Sequence, residues 1–524
     1  MRDLHLPGRS PVYATNGMAA TSNPLSSKVA IQMLEAGGNA VDAAIAAAVL
    51  QGLIEPAMTG IGGDCFVLLT PPGSDKTIAL NGSGRAPSGF DSDALRAAGH
   101  KTIPHYSIHT VTIPGAIDAF CRLSADYGKL GLKAALAPAI HNMRAGVPVS
   151  PRNVFDWAMH VDDLQGDARE HYLFDGKAPR VGQIFRAPKQ ADVLEHIADK
   201  GRAGFYEGEV MEDMVASLQA LGGSHTAEDF TKTECTYSDP IMGIYGDYEL
   251  LEHPPNGQGA TAILMANMMK KFDIASMDPW GAERAHIEAE IAKLAYDARN
   301  RFLAEETARL DHMLAQETAD KLASLIDPKK AMAAPSELSE SVHKETICLS
   351  VVDKDQMCVS MIYSVFHSFG SGLASKKFGI NFQSRGAGFT LEKGHPNEAA
   401  GGKRPMHTII PGLLRQGGKP VMPFGVMGGA YQPNGHARFI SNLADYGLDP
   451  QCAMDGPRSF SDAGIMNVER GYSDAVRTEL AEMGHKVDVP KVPIGGAQAV
   501  MIDYENGCLV GASDHRKDGA ALGY

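Results

Sequence analysis

Apolar and polar positions follow a helical period over the first part of the chain. Residues 22–58 predict two helices, because Ser22-Asn23-Pro24 is a capped start and Gly37-Gly38 is a stop. Asn39 then begins a second, alanine-rich helix that we expect to be buried. Shorter apolar runs around a Pro-Gly turn predict strands at residues 65–69 and 77–80.

The balance between helix and strand changes near residue 346. Before it, helical patterns dominate, at 114–146 with breaks at Gly128 and Gly131, and at 281–327, the longest helical region. After it, strands dominate, and a helix is predicted near 435–446. The predicted strands are 346–353, 357–364, 377–382, 408–415 and 419–426, followed by a hairpin of 498–503 and 508–512. This division favours an α/β fold built as a four-layer αββα sandwich.

Thr346 lies at the junction of the two regions. Residues 327–345 are polar and rich in Ala, Ser, Pro and Lys, which predicts an exposed linker. Threonine is common in strands, where it usually only packs or forms a hydrogen bond. A linker that enters a strand at a threonine is also what an N-terminal-nucleophile hydrolase needs before it cleaves itself. A cut between Glu345 and Thr346 would expose an α-amine of pKa about 8, which can act as base for the threonine hydroxyl.

Composition and charge narrow the classes of function. The 524-residue chain is 44% hydrophobic and 21% charged, which is typical of a globular protein with a large core. Its net charge of −14 argues against nucleic-acid and anionic-membrane partners, because nothing offsets the repulsion from phosphates. Residues 1–11 contain no apolar core of a secretory signal, so we expect a cytoplasmic protein.

No motif for a metal or a cofactor is found. The seven cysteines are scattered without a C-x-x-C pair, which predicts free thiols. The nineteen histidines include no HExxH spacing, so no metal site is expected. Gly60 to Gly63 lack the strand–GxGxxG–helix context of a dinucleotide site and predict close backbone packing near the active centre. We therefore expect no cofactor.

Seven short stretches are specific through their order and spacing: Asn39-Ala40-Val41-Asp42-Ala43-Ala44, Gly60-Ile61-Gly62-Gly63-Asp64, residues 346–355, Phe369-Gly370-Ser371-Gly372, Lys403-Arg404-Pro405, Gly428-Gly429 and Gly511-Ala512-Ser513-Asp514. Together they resemble the gamma-glutamyltransferase family over almost the whole chain. Proteins of that family are N-terminal-nucleophile hydrolases with an αββα fold, made as one chain and self-cleaved at a threonine. The resemblance implies a large subunit of residues 1–345, ending in the linker 327–345, and a small subunit of residues 346–524, which together form one structural unit.

The resemblance also implies catalytic roles. Thr346 would be the nucleophile and, through its own amine, the general base. Ser364 takes the position of a threonine that forms a hydrogen bond to the nucleophile, and it keeps the hydroxyl. Gly428 and Gly429 take the positions of two backbone amides that form the oxyanion hole, where each preorganised donor can be worth about 3 kcal/mol of barrier.

The chain departs from the family at the positions that bind the acyl donor. Ser83 replaces the glutamyl-binding arginine, Gly388 an acid that holds the α-ammonium group, Arg385 a glutamine, Phe366 an asparagine, and His407 and Thr408 two carboxylate-binding serines. An arginine still lies nearby, at Arg85, directly before an Ala-Pro pair. Losing an acid and gaining a guanidinium favours carboxylates over ammonium groups. Alternatively, Arg85 and Arg385 are surface or salt-bridge arginines, and an acid from elsewhere replaces the lost one.

Three functions remain open at this point. The family function is γ-glutamyl transfer from a donor such as glutathione to water or an amine, through a Thr346-acyl intermediate. The second is an acylase for glutaryl- or oxamate-type acyl groups, which have a carboxylate but no α-amine. The third is an unprocessed binding protein without turnover, against which the presence of Thr346, Ser364 and the glycine pair argues. The expected partners are a small amide donor and its acceptor, and the sequence leaves open whether the chain forms a homo-oligomer.

Overall fold

Two seven-stranded antiparallel sheets form the centre of the computed structural model, which describes residue 5, residues 8–333 and residues 346–524. The strands are β1 (Val12–Ala14), β2 (Met18–Thr21), β3 (Asp64–Thr70), β4 (Ile78–Gly82), β5 (Val147–Pro148), β6 (Ile184–Phe185), β7 (Thr236–Ser238), β8 (Ile241–Tyr245), β9 (Tyr248–Glu252), β10 (Ile347–Val352), β11 (Cys358–Ser364), β12 (Pro411–Gln416), β13 (Lys419–Met427), β14 (Ser459–Asp462), β15 (Ile465–Val468), β16 (Val487–Asp488), β17 (Gly496–Asp503), β18 (Cys508–Ser513) and β19 (Ala520–Gly523). The first sheet has the order β1-β18-β17-β13-β12-β9-β8, and the second β19-β2-β10-β11-β3-β4-β7. Each sheet therefore combines strands from both sides of residue 346.

Helices cover the outer faces of the two sheets. They are α1 (Pro24–Glu35), α2 (Ala40–Ile54), α3 (Ser92–Ala97), α4 (Ala116–Tyr127), α5 (Leu132–Ala145), α6 (Pro151–Ala158), α7 (Asp167–Tyr172), α8 (Pro188–Lys200), α9 (Ala203–Tyr206), α10 (Gly208–Ala220), α11 (Ala227–Thr231), α12 (Gly259–Met269), α13 (Ala282–Phe302), α14 (Leu310–Leu314), α15 (Gln316–Ala323), α16 (Gln432–Ala444), α17 (Pro450–Asp455) and α18 (Asp474–Glu482). Short 3₁₀ turns lie at Ile108–Thr110, Val161–Asp163, Ile274–Ser276, Arg385–Gly388 and Gly429–Tyr431.

The buried apolar residues form three layers. One layer packs α1, α2, α4 and α5 against the outer face of the sheet that contains β10. Another packs α12, α13 and α16 against the sheet that contains β13. The third lies between the sheets and includes Met18, Leu68, Leu251, Leu413 and Val500. This arrangement confirms the predicted αββα sandwich.

The alanine-rich helix α2 is buried over its whole length, as predicted. Asn39 caps it by accepting hydrogen bonds from the amides of Val41 and Asp42, while the Asp42 carboxylate accepts one from the Asn39 amide. This reciprocal arrangement satisfies amides that the first helical turn leaves without partners. Small alanine side chains let the helix lie close to both its helical neighbours and the sheet.

Most predicted elements are present, with two instructive differences. Residues 377–382 do not form a strand, because the chain turns at Gly379 (φ 67°) and pairs with itself, Ser375 donating to the Ile380 carbonyl at 2.9 Å. The predicted strand 408–415 begins only at Pro411, because side chains rather than a neighbouring strand bind the backbone of Thr408 and Ile410. Of the predicted linker, residues 334–345 lie outside the described residues. The division into subunits stays a prediction.

Among the helices that the structure describes, none is long and apolar enough to cross a membrane. The cytoplasmic location stays a prediction.

The core between α12 and its neighbours gives a direct test of the packing. Leu264 is fully buried there, whereas Leu325 is 64% exposed. We expect Leu264→Ala to lower the free energy of unfolding by about 2–5 kcal/mol, because it removes apolar contacts and leaves a cavity. The matched Leu325→Ala should change it by less than about 0.5 kcal/mol. Urea unfolding followed by circular dichroism measures both, and similar losses in the two variants would contradict the described packing.

Candidate active site

The pairing of β10 with β11 brings Thr346 beside Ser364. Ile347, the first residue of β10, lies opposite Tyr363 of β11. Thr346, directly before Ile347, therefore lies beside Ser364, directly after Tyr363. Thr346 Oγ1 and Ser364 Oγ are 3.3 Å apart, and both side chains are buried. Ser364 Oγ also accepts a hydrogen bond from the Phe366 amide at 2.9 Å, which fixes its position. The predicted nucleophile therefore lies within hydrogen-bond distance of a second hydroxyl group.

The end of β13 approaches the same place from the other sheet. Met427, its last residue, belongs to a small apolar cluster with Cys348, two residues after Thr346. Gly428 follows with φ 115°, a backbone conformation that residues other than glycine rarely adopt, and Gly429 begins a 3₁₀ turn. The predicted oxyanion-hole residues therefore lie at the same end of the sandwich as Thr346. Their catalytic role stays a prediction.

Gln258 connects this turn to the predicted donor pocket. Its side-chain amide donates to the carbonyl of Thr408 at 2.7 Å and to that of Gly429 at 2.9 Å. Its carbonyl oxygen accepts from the Arg299 guanidinium at 2.8 Å. Gln258 is fully buried, so these contacts hold the Gly429 turn at a fixed distance from Thr408. Nothing in the sequence around Gln258 indicated this role, because its partners are distant along the chain.

Arg385 is buried and incompletely satisfied. Its Nη1 donates to Thr408 Oγ1 at 3.1 Å, and its guanidinium carbon lies 4.0 Å from the centre of the Phe366 ring. Its Nε and Nη2 have no hydrogen-bond partner among the described residues. Burial lowers the pKa of Arg385 to about 9, although the Asp64 carboxylate partly offsets the effect. This is a desolvated cation with donors to spare, not a surface arginine.

Asp64 and His407 form a buried pair beside Arg385. His407 Nε2 lies 3.1 Å from Asp64 Oδ2, and its Nδ1 accepts from the Ile409 amide at 3.4 Å. Burial, together with the charge of Arg385, lowers the pKa of His407 to about 3, so the ring is neutral and Nε2 is the donor. Asp64 also accepts hydrogen bonds from the amide of Gly84 and from other donors around it. Both nitrogens of His407 are thus engaged within the protein.

Arg85 has a different environment. Its side chain is 44% exposed and forms a salt bridge of 2.7 Å with Glu305. The same Nη1 donates to the carbonyl of Gly402 at 3.0 Å. This is the salt-bridge alternative that the sequence left open for Arg85, although a substrate-binding role for it is untested.

The Gly60 to Gly63 run packs as predicted. A Cβ on Gly62 would lie 2.1 Å from the Asn381 carbonyl oxygen, and one on Gly63 would lie 2.4 Å from that of Ser364. A side chain at Gly63 would push the end of β11, and with it the Ser364 hydroxyl, away from Thr346. The prediction of close backbone packing is therefore confirmed.

The structure brings most of the predicted site together through a series of contacts. Thr346 touches Ser364, whose neighbour Phe366 stacks on Arg385, which in turn binds Thr408. His407 is the chain neighbour of Thr408, and Gln258 connects the Gly428-Gly429 turn to Thr408. Arg85 lies outside this series, and Glu345 lies outside the described residues. Sequence reasoning missed the bridging Gln258 and the support that Asp64 gives to His407.

Two stacked sheets between helical layers, with a threonine hydroxyl at the start of a central strand, define an N-terminal-nucleophile hydrolase. The family model described as Gamma-glutamyltranspeptidase matches residues 26–524, and the chain belongs to this family. It is 32% identical to the glutathione hydrolase-like YwrD proenzyme of Bacillus subtilis, over 98% of this chain and 99% of that protein. It is 31% identical to the oxamate amidohydrolase proenzyme of Klebsiella pneumoniae, over 98% and 99% respectively.

A solved structure agrees with these relatives. The crystal structure of the cephalosporin acylase from Bacillus halodurans matches with a TM-score of 0.92 at 34% identity, covering 100% of this chain and 98% of that one. The predicted family, fold class and enzyme class, an amidohydrolase or acyltransferase, are confirmed.

Replacement of Thr346 tests its role in both processing and turnover. We expect Thr346→Ala to remain a single chain and to be inactive, because it removes the hydroxyl that attacks. Thr346→Ser keeps the hydroxyl and should still be cut, more slowly. Intact-mass spectrometry of the freshly purified proteins measures cleavage. Cutting between residues 345 and 346 in the alanine variant would remove Thr346 from the mechanism.

Proposed function

We propose that this protein is a self-processing amidohydrolase whose acyl donors have a carboxylate but no α-ammonium group. The observation that supports this best is the buried guanidinium of Arg385. It lies against the ring of Phe366, whose amide donates a hydrogen bond to Ser364. Membership of a family with proenzyme relatives supports the processing step.

Maturation begins with attack of Thr346 Oγ on the carbonyl carbon of Glu345. The acyl group moves from the Thr346 nitrogen to its oxygen, and the nitrogen takes up the hydroxyl proton. Water then hydrolyses the ester, which leaves a carboxylate on Glu345 and a free amine and hydroxyl on Thr346. Ser364 lies 3.3 Å from the hydroxyl and can donate a hydrogen bond to Thr346 Oγ1 while Thr346 transfers its proton.

Turnover repeats the attack on an external amide. Thr346 Oγ adds to the donor carbonyl, and its proton passes to the Thr346 amine. The amides of Gly428 and Gly429 stabilise the oxyanion that forms. Collapse breaks the C–N bond, the departing amine takes the proton, and an acyl-Thr346 ester remains. Water, or a second amine, adds to that ester and regenerates the hydroxyl.

The donor preference follows from charge. A buried cation without a fully paired anion is unstable, so Arg385 favours a ligand that supplies one. A carboxylate can accept from two guanidinium nitrogens at once, and Nε and Nη2 lack partners among the residues described. Gly388 takes the position of the acid that holds an ammonium group in the family. An acidic side chain would not fit there, because a Cβ on Gly388 would lie 2.5 Å from the Met406 carbonyl oxygen.

γ-Glutamyl transfer is the second candidate. The name of the Bacillus subtilis relative, glutathione hydrolase-like, favours it, whereas that of the Klebsiella relative, oxamate amidohydrolase, favours a carboxylate donor without an α-amine.

Two anilides that differ only in the α-ammonium group separate these candidates. We expect kcat/KM for glutaryl-p-nitroanilide to exceed that for γ-glutamyl-p-nitroanilide by at least about tenfold, because the Arg385 cation would repel an ammonium group bound beside it. Release of nitroaniline measures both. A preference for the γ-glutamyl compound would establish an ammonium site and overturn the proposed donor class, whereas no turnover of either by cleaved protein would exclude both the γ-glutamyl and the glutaryl donor.

Replacement of Arg385 tests the carboxylate contact itself. We expect Arg385→Gln to lower kcat/KM for glutaryl-p-nitroanilide by about 10- to 150-fold, the worth of a hydrogen bond to a charged group. The uncharged pentanoyl-p-nitroanilide should lose less than about threefold, since it makes no such contact. Arg85→Gln is the matched control and should lower neither rate by more than about threefold. Equal losses on both donors would assign Arg385 a structural role, and a larger selective loss in the Arg85 variant would move the carboxylate site there.

A further inference from the structure

Two histidines and a glutamate meet between α13 and the segment that follows α18, and none of them belongs to the candidate active site. His286 and Glu290 lie one helical turn apart on α13, and His485 follows α18. The three are buried, and one ligating atom from each lies within 4.8 Å of the others. We propose that His286, Glu290 and His485 form a binding site for a divalent transition-metal ion such as Zn²⁺.

The hydrogen bonds of His286 define which of its nitrogens faces the site. Its Nε2 lies 2.8 Å from the Asp327 carbonyl oxygen, which can only accept, so Nε2 holds the proton. In that tautomer Nδ1 has a lone pair, and His485 Nε2 lies 2.7 Å from it. Either a shared proton or a cation holds two nitrogens together in this way. A ring whose outer N–H donates to a backbone carbonyl is also the usual arrangement for a histidine that binds zinc.

The donor set fits zinc in type and number. Two imidazole nitrogens and one carboxylate oxygen leave a fourth tetrahedral position for water. Zn–N bonds of about 2.0–2.1 Å at a tetrahedral angle place two nitrogens about 3.3 Å apart. The rings would therefore separate by about 0.6 Å from their present 2.7 Å when an ion enters. His485 follows a turn at Gly484 rather than lying within α18, so its backbone can accommodate that shift.

Lys293 is the group that competes with a metal ion. Its ammonium nitrogen lies 2.6 Å from Glu290 Oε1 and also donates to the Met332 carbonyl at 2.9 Å. Glu290 Oε2 accepts from the Met332 amide at 2.8 Å. The Lys293 side chain is 11% exposed, and its positive charge would oppose a cation bound to Glu290. Removing its charge should therefore strengthen metal binding.

The position of the site gives it a consequence for the processed enzyme. His286 and Glu290 precede Thr346, whereas His485 follows it. If the chain is cut as proposed, one ion would join the two pieces and hold residues 327–332, which Asp327 and Met332 attach to the same cluster. Metal binding itself does not depend on the cut, so the two proposals fail separately.

Zinc retained per chain is the primary measurement. After exposure to Zn²⁺ and removal of free metal, we expect one zinc per wild-type chain by mass spectrometry of the elements. His485→Gln and Glu290→Gln should raise the Kd by at least about a hundredfold, more than loss of an indirect partner costs. His515→Gln, which alters a half-exposed histidine paired with Asp455, is the control and should retain one zinc. Lys293→Gln should lower the Kd by at least about tenfold, because it removes a neighbouring positive charge.

Co²⁺ bound to the unaltered protein gives a second readout that needs no variant. Strong visible absorption of tetrahedral cobalt, abolished by added Zn²⁺, would support the site. The weak spectrum of octahedral cobalt, or zinc retention equal in the wild-type protein and His485→Gln, would overturn it. The cluster would then be a histidine pair that shares a proton. An unchanged Kd in Lys293→Gln would also count against the proposal, because a nearby ammonium must oppose a cation.

Discussion

The register between β10 and β11 is the constraint on which the rest of the site depends. It sets Ile347 opposite Tyr363, and so Thr346 beside Ser364. Side chains alternate between the faces of a sheet, so a slip of one residue would turn Thr346 towards the helices and its hydroxyl away from β13. The register is fixed from several sides, by β2 and β3 within the sheet and by the second sheet across the core. Gly63 lets β11 keep this position, because a Cβ there would clash with the Ser364 carbonyl oxygen.

The polar groups of the site are held at a cost in stability. Arg385 is desolvated, Asp64 and His407 are buried together, and Gln258 spans two backbone carbonyls. Well-packed apolar residues in their place would stabilise the fold at least as well. The incompletely paired cation of Arg385 fits the proposed site for an anionic ligand. The exposed Arg85–Glu305 pair shows the contrast, because water and a partner already satisfy it.

Local signals predicted the parts of the structure that depend on neighbours in sequence. The capped start at Asn39, the Ala-rich helix after it, the strands around Thr346 and the terminal hairpin all follow from periodicity and turn residues. The missed or misplaced parts depend on distant contacts. Alternation over 377–382 resembles a strand, yet the turn at Gly379 pairs that segment with itself. Gln258 could not be found, because its partners Thr408 and Arg299 are far away along the chain, and burial separated Arg385 from Arg85 only once the fold was known.

The interleaving of strands has a consequence for the refolding of the protein after a cut. In one sheet β2 lies between β19 and β10, and in the other β9 pairs with β12, so each half of the chain completes the sheets of the other. A cut before Thr346 leaves every one of these ladders intact, and the pieces cannot part without unfolding both sheets. Once unfolded, however, they are two molecules that must find each other, and assembly that was first order becomes second order. The uncut chain supplies all strands of both sheets itself, whereas an enzyme cut as proposed would depend on an earlier folding event that its separated halves would repeat only at high concentration.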